Sequence, residues 1–331
     1  MAANLTPQYR KAEEAYRRAE SPLEELRCLE VMLREMPKHK GTDRLQADLK
    51  TKISRARADA EAAAKAPKKT TGFRLPRQGA GRVVVIGGPN GGKSSLLAAL
   101  TRATPEIAPY PFTTRQPLPG MLEHRDVPVQ VVDTPPVTED LLDADVVTLI
   151  RGADLVLFVV GLFDDEGVDA GVAAFSRFAA GKTRLGNESR LDEQDVGVTY
   201  TRTFLVRNGS EDPQFASRAE LLAALCPTSF HSFDVSATTG AGLEALKSAI
   251  VESLDVVRIY TKSPARKEPD AKPVVVKRGS VLLDVAEALH HELAANLKSA
   301  RVWSPSRPGT MTVGADYVVE DRDVVELHSK G

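Results

Sequence analysis

RVVVIGGPNGGKSS, residues 82–95, is the stretch on which the chain turns. Val83-Val84-Val85-Ile86 is a continuous apolar run of the kind that forms a strand covered on both faces. It runs directly into Gly87-Gly88-Pro89-Asn90-Gly91-Gly92-Lys93-Ser94, two spaced glycine positions followed by Lys and Ser. That is the phosphate-loop pattern, in the strand-then-helix setting the pattern requires. Glycines let successive backbone N–H groups curl around a polyphosphate, and the helix that follows adds positive potential at its N-terminus. Lys93 supplies a point charge for the terminal phosphates and Ser94 a hydroxyl for magnesium. A glycine-rich turn with no ligand is the plain alternative, and the strand and helix on either side weigh against it.

Working outward, similar apolar runs recur at Val129–Val132, Leu155–Val160, Thr203–Val206 and Phe230–Val235. Helical stretches separate them at Ser95–Arg102, Ala170–Ala180, Ala216–Leu225 and Gly242–Leu254. Strand–helix alternation predicts a doubly wound α/β domain over residues 81–255. Gly181–Gly197 is polar and patternless and reads as a loop or a shortened insertion. Tyr110-Pro111-Phe112-Thr113-Thr114 precedes a strand ending in Asp133. Threonine hydroxyls on a loop and a carboxylate at a strand end are the remaining parts of a magnesium–triphosphate site.

Residues 1–80 read as a helical arm. Ser21-Pro22-Leu23-Glu24 joins a capping box to a proline at the first helical position. Leu23, Leu26, Leu29, Leu33 and Met36 then recur at helical spacing until Pro37. Thr42 can cap a further helix with Leu45, Leu49 and Ile53 on one face, giving a hairpin or short bundle that leans on something else. Residues 256–331 read as a small α+β module: a strand at Val257–Tyr260, a helix over Leu282–Leu297, and a closing strand pair over Tyr317–His328 turning at Asp321–Asp323.

Composition bounds the classes. The 331 residues carry 27% charged and 5% aromatic side chains, and no apolar run nears membrane-spanning length. With a polar N-terminus, the expectation is a cytoplasmic protein without a membrane span or secretory signal. Cys28 and Cys226 stand far apart, outside any metal-like spacing, and read as ordinary thiols. The net charge of −1 hides a split: 18 Lys and Arg against 11 Asp and Glu in residues 1–80, but 14 against 24 in 81–255. A basic arm on an acidic core is the pattern of a polyanion contact, and equally that of a solvated helical surface.

With these parts in order, the chain resembles the Obg/DRG group of GTPases. The resemblance rests on GGPNGGKSSLLAALT, on the YPFTT run, and on Ser236-Ala237 followed by Gly240 and Gly242-Leu243. PKHKGTDRLQADLK (residues 37–50) is similar to the helical region before their G domain. VKRGSVLLDVAEALHHELAANLKSARVW (276–303) and YVVEDRDVVELH (317–328) are similar to their TGS domain, a ubiquitin-like β-grasp module. The resemblance implies a P-loop G domain between the helical region and the TGS domain. It makes Thr114 and Ser94 magnesium ligands, places Asp133 behind them, and has Ala237 offer its N–H to the base. Its associations are with ribosomes, RNA and translation control.

Three departures qualify what is implied. Where the family has Asp, two residues, then Gly, this chain reads Asp133-Thr134-Pro135-Pro136, and proline has no N–H to give a γ-phosphate. The base motif Asn-Lys-x-Asp is replaced by Asn208-Gly209-Ser210-Glu211, which lacks the stacking lysine and resembles the Obg-like ATPases; it also reads as a plain turn. The span from Asp133 to Asn208 is short for the group, so its usual inserted subdomain is expected to be missing or vestigial. Val137 stands where a water-orienting glutamine is found in Ras-like enzymes, and Asn90 resembles the potassium-assisted members. The expectation is therefore a slow, magnesium-dependent GTPase that contacts ribosome or structured RNA, with Asn90 and Asp133 as catalytic candidates and potassium as an assisting ion. An ATPase and a non-hydrolysing nucleotide-bound scaffold are the alternatives.

Overall fold

The computed structural model describes residues 6–19, 21–37, 42–65, 75–101, 117–192, 195, 197–263 and 268–329. The chain divides into two compact units, one of Met1–Pro76, Arg82–Gly120 and Val131–Leu243, the other of Arg77–Gly81, Met121–Gln130 and Glu244–Gly331.

The first unit is built on the predicted parallel strands. They are β1 (Arg82–Ile86), β4 (Leu155–Gly161), β7 (Thr199–Asn208) and β8 (His231–Val235); β2 (Leu118–His124) and β3 (Val127–Asp133) belong to the same sheet, although their residues Met121–Gln130 fall in the second unit. The sheet order is β2-β3-β1-β4-β7-β5, and β6 and β8 also pair with β7. Every residue of β1 and β4 is buried, as their unbroken apolar runs require. Helices α4 (Lys93–Thr101), α5 (Ala144–Arg151), α6 (Asp165–Ala179) and α7 (Phe215–Leu225) connect them. Val84, Ile86, Val132, Phe158, Val160, Phe178 and Leu222 share one core.

The stretch 181–197 is not the patternless loop expected. It holds β5 (Thr183–Gly186), parallel to the start of β7, and β6 (Arg190–Leu191), antiparallel to it. In β5 buried and half-buried residues alternate, so no apolar run announces it. Strand β7 changes partners along its length: Thr199–Arg202 pair with β5, and from Phe204 onward it pairs with β8.

The arm forms α1 (Pro7–Arg18), α2 (Pro22–Glu35) and α3 (Asp43–Lys65). Ser21 caps α2 as its sequence proposes, accepting the Glu24 N–H at 3.3 Å. Leu29, Met32, Met36, Leu45 and Leu49 are buried with Tyr9 and Tyr16, whereas Leu23, expected on the same stripe, is 51% exposed. What the bundle leans on is the sheet's edge. Leu191 of β6 enters the helical core, and its N–H donates to Glu13 at 2.6 Å. Arg18 bonds Asp154 at 2.7 Å, and the second oxygen of Asp154 accepts the Arg82 N–H at the start of β1. Burial pushes the Glu13 carboxyl above its ordinary range, with the Leu191 N–H and nearby arginines opposing. Part of the arm's basic charge is thus spent inside the fold.

In the second unit α8 (Leu243–Ser253, its first residue in the other unit) precedes β9 (Val256–Thr261), β10 (Val274–Lys277), α9 (Leu282–Leu289), α10 (His291–Ala295), β11 (Leu297–Ser304), β12 (Arg307–Val313) and β13 (Val324–Ser329). The order β10-β9-β13-β11-β12, with β9 and β13 parallel, packs α9 through Leu282, Val285 and Ala286. The helix expected to run to Leu297 stops at Leu289, because His290 is extended (φ −164, ψ 132) and starts α10 by accepting the Glu292 N–H on its own ring. The closing strand β13 pairs with β9 and β11 rather than folding back on Tyr317. Among the described residues no helix is long and apolar enough to cross a membrane.

Candidate nucleotide-binding site

The phosphate loop leaves β1 in a conformation that its glycines make possible. At Gly87, φ is +150°, and an added Cβ would lie 2.1 Å from the Val159 carbonyl oxygen, so the loop can press against β4 only without a side chain. Gly92 turns at φ +81° into α4, whose first turn closes by Leu96 N–H to the Gly92 carbonyl. Asn90 sits exposed at the tip with φ 54°, a left-handed conformation that asparagine tolerates better than most residues.

The two polar side chains at the head of α4 face a carboxylate. Lys93 is buried and donates to the Gly88 carbonyl at 2.6 Å, folded back onto its own loop. Burial holds its ammonium below the usual lysine range, and Asp133 partly offsets this. Ser94 Oγ donates to Asp133 Oδ2 at 2.5 Å. Asp133 Oδ1 is buried and has no hydrogen-bond partner among the described residues. Burial raises the Asp133 carboxyl above its ordinary range, while Ser94 and Lys93 pull it back. An orphaned carboxylate oxygen beside a serine hydroxyl at the head of a helix fits a hydrated divalent cation, held by Ser94 and backed by Asp133. Thr113 and Thr114 lie outside the described residues.

Beyond Asp133 the chain is pinned down. Thr134 Oγ1 donates to the Val85 carbonyl at 2.8 Å, and the Val137 N–H donates to the Gly87 carbonyl at 3.0 Å. The Val137 side chain is 1% exposed and belongs to the sheet's core, so it serves as an anchor for this stretch and faces no water. Pro135 and Pro136 have no N–H and that of Val137 is engaged, so positions 135–137 offer no free donor in this conformation.

On the other side of the phosphate loop, Asn208 ends β7, 1% exposed. Its Nδ2 donates to the Gly91 carbonyl at 3.3 Å, and its Oδ1 accepts the Ala237 N–H at 3.1 Å. One carboxamide therefore joins the phosphate loop to the loop after β8, and the Ala237 N–H that the resemblance directs at a base is bonded to Asn208 here. Ser236 is fully buried and shapes that loop, its Oγ accepting the Thr239 N–H at 2.9 Å. Glu211 is exposed and makes no hydrogen bond or ion pair among the described residues. Its neighbour Asp212 is committed, accepting from Arg218 at 3.0 Å and from the Gln214 N–H at 2.8 Å.

Arg218 carries no signal in the sequence, where an arginine on a helix reads as surface. It is nonetheless a cross-brace: besides Asp212, it donates to the Leu162 carbonyl at 3.1 Å and to Asp165 at 3.2 Å. It thereby fixes the segment after β4 to the segment after β7. The site thus brings together Gly87–Ser94, Asp133, Asn208, Ser236 and Ala237 at the carboxyl ends of parallel strands, the place where open α/β sheets bind ligands.

Residues 82–191 match the family described as 50S ribosome-binding GTPase, and residues 255–329 match the TGS domain. A GTP-binding protein of Halobacterium salinarum is 27% identical over 92% of this chain and 98% of its own length. GTP-binding protein 1 of Schizosaccharomyces pombe is 27% identical over 93% and 99%. The developmentally-regulated GTP-binding protein 2 homolog of Dictyostelium discoideum is 24% identical over 93% and 99%.

Proposed function

We propose, from its GTPase-domain and TGS-domain matches and its likeness to GTP-binding proteins of the Obg/DRG type, that the chain binds GTP with magnesium at Gly87–Ser94, hydrolyses it slowly, and works in the cytoplasm on ribosomes or structured RNA. The observation that carries the nucleotide part is the Asn208 clasp, which holds the phosphate loop and the Ser236–Ala237 loop in one frame. A phosphate loop alone binds polyphosphate; one tied to a second loop three strands away can also seat a nucleoside. Ser94 would hold magnesium with Asp133 behind it, and the ion would screen the phosphate charge. Slow turnover follows from residues 135–137, which supply neither an N–H for the γ-phosphate nor a polar side chain to orient water. Potassium at the exposed Asn90 is the assisting ion in this scheme. The polyanion contact draws on exposed Arg44, Lys50 and Arg55 of α3 and on the TGS module.

Glu211 sustains a second reading. An exposed, unpaired glutamate with glycine at the lysine position leaves adenine acceptable, which would make the protein an ATPase. The deciding experiment is competition of GTP and ATP for one labelled guanine nucleotide, with and without magnesium, followed by phosphate release in sodium and in potassium. Preferential displacement by GTP is expected, with release accelerated by potassium. Displacement by ATP at equal or lower concentration would replace GTP by ATP as the ligand. Binding without any phosphate release in either salt would leave a non-hydrolysing scaffold.

A further inference from the structure

We propose that the sheet face carrying Arg184, Arg190, Tyr200, Arg202 and His231 is a binding surface for single-stranded RNA. The inference deepens the RNA reading above and rests on it. Strand register sets these residues side by side. Arg184 of β5 and Arg190 of β6 both stand opposite Tyr200 of β7, and Gly186 stands opposite Arg202. Further along β7, Phe204 stands opposite His231 of β8, and Val206 opposite Phe233. Cross-strand neighbours share a face, and alternation along β7 keeps positions 200, 202 and 204 on one side. Thr199, Thr201 and Thr203 take the other side and are buried.

The row is open to solvent and its rings are held in place. Arg190 and His231 are exposed, while Arg184, Tyr200, Arg202 and Phe233 are half-buried. The Arg190 guanidinium lies 4.5 Å from the Tyr200 ring centroid, and Arg184 Nη1 donates to the Tyr200 hydroxyl at 3.2 Å. A Cβ on Gly186 would come within 3.3 Å of Tyr200 Cβ and Cδ1, so bare backbone there gives the ring its place. His231 stacks on Phe233 with ring centroids 4.7 Å apart and planes 4° from parallel, and Phe204 is tilted against both at 5.5 and 5.3 Å. Among the described residues Arg184 and Arg190 bond the Tyr200 hydroxyl and the Gly181 and Leu191 carbonyls, and neither forms an ion pair. Glu13, which Arg190 influences, is bonded to the Leu191 N–H, and Asp234 pairs with Arg207 on the opposite face.

This combination selects its partner by chemistry. Guanidinium groups with unspent donors grip phosphate, and a guanidinium laid on tyrosine offers a plane on which a base stacks. An exposed imidazole backed by a second ring offers another such plane. From Tyr200 to Phe204 the strand spans about 14 Å, room for about two or three nucleotides of an extended chain. An RNA duplex keeps its bases stacked inside and would leave the rings unused. An acidic peptide would engage the arginines alone.

The test uses the full chain and a fluorescein-labelled short oligouridylate, read by anisotropy across a salt series, with duplex RNA and polyglutamate as competitors. In the double variant Arg184→Gln, Arg190→Gln, affinity should fall roughly tenfold and the slope of log affinity against log salt by about 1.4, two phosphate contacts at about 0.7 each. In His231→Ala, affinity should fall roughly fivefold or more with the slope unchanged, because lost stacking releases no counterion. Both variants should keep the wild-type nucleotide affinity and unfolding midpoint, and the exposed His231 keeps the test decisive if the arginine pair disturbs folding. RNA affinity and slope unchanged in both variants would overturn this face and leave RNA contact to α3 and the TGS module. A loss in the arginine variant alone, with polyglutamate or duplex displacing the strand as well as unlabelled oligouridylate does, would overturn it as a patch of charge. Wild type that binds duplex RNA or ribosomes but no oligouridylate would overturn the face and leave the RNA reading standing; binding to none of them would remove that reading too.

Discussion

Replacing Asn208 by alanine tests the frame on which the nucleotide site depends. The side chain makes two hydrogen bonds from a position 1% exposed to solvent, one to the Gly91 carbonyl at 3.3 Å and one from the Ala237 N–H at 3.1 Å. Each such bond contributes about 1 kcal/mol net, and a buried partner left without one costs about 1–3 kcal/mol. Gly91 is buried and its carbonyl would be left facing the gap, whereas Ala237 is half-buried and water can reach its N–H. The sum is about 2–3 kcal/mol, which should appear as a lower midpoint in chemical denaturation with an unchanged slope. Nucleotide affinity should drop by at least tenfold, because the two loops no longer hold a common geometry. Asn208→Asp sharpens the test: it keeps an acceptor for Ala237 but sets a carboxylate oxygen against the Gly91 carbonyl, so it should bind no better than Asn208→Ala. A loss of stability below about 0.5 kcal/mol in Asn208→Ala, together with nucleotide affinity within twofold of wild type, would refute the clasp.

Lys93→Ala removes the one cation at the head of α4 and should weaken nucleotide binding by about 2 kcal/mol, measured by titration; an unchanged affinity would move the site elsewhere. For Asp133 the folded pKa is raised, so its contribution to stability is fully present below the unfolded value of 3.8 and is lost as pH rises through the folded value. Asp133→Asn should therefore stabilise the unliganded protein near neutral pH, flatten its pH dependence above about pH 4, and weaken magnesium-dependent binding. Denaturation curves across that range, with and without magnesium and GTP, should show the two effects with opposite sign. Pro136→Gly should widen the ratio of GTP to GDP affinity by restoring an N–H at that position; equal ratios in wild type and variant, in sodium and potassium, would mean that another donor senses the third phosphate. Deleting residues 1–70 would expose the core shared with Leu191, so the arm's RNA contact is better tested by changing Arg44, Lys50 and Arg55 to Glu. That triple change should lower the slope of log affinity against log salt by about 0.7–0.9 for each phosphate no longer neutralised.

The order of parts was legible because each part is written locally. A buried parallel strand shows as an unbroken apolar run, and a phosphate loop shows as glycines where the backbone must bend and approach β4. A helix start shows as Ser21 before Pro22. Each of these signals is complete within a dozen residues. Strand β5 escaped the same test because its alternation, with Thr183 at one of the buried positions, gives no run, and the helix after Leu282 was overextended because nothing in its periodicity marks His290 as extended.

The sequence by itself determined that a phosphate loop sits between β1 and α4, that a helical arm precedes it and a small mixed module follows. Tertiary structure alone decided what those parts touch. Asn208 and Gly91 stand 117 positions apart, and Glu13 and Leu191 stand 178 apart. Such partners meet only because parallel strands return every carboxyl end to one edge, and no local pattern names a residue's partner across that edge. Val137 stands where Ras-like enzymes keep a water-orienting glutamine, and the packed sheet makes it a core anchor, since only tertiary packing settles which way a side chain points.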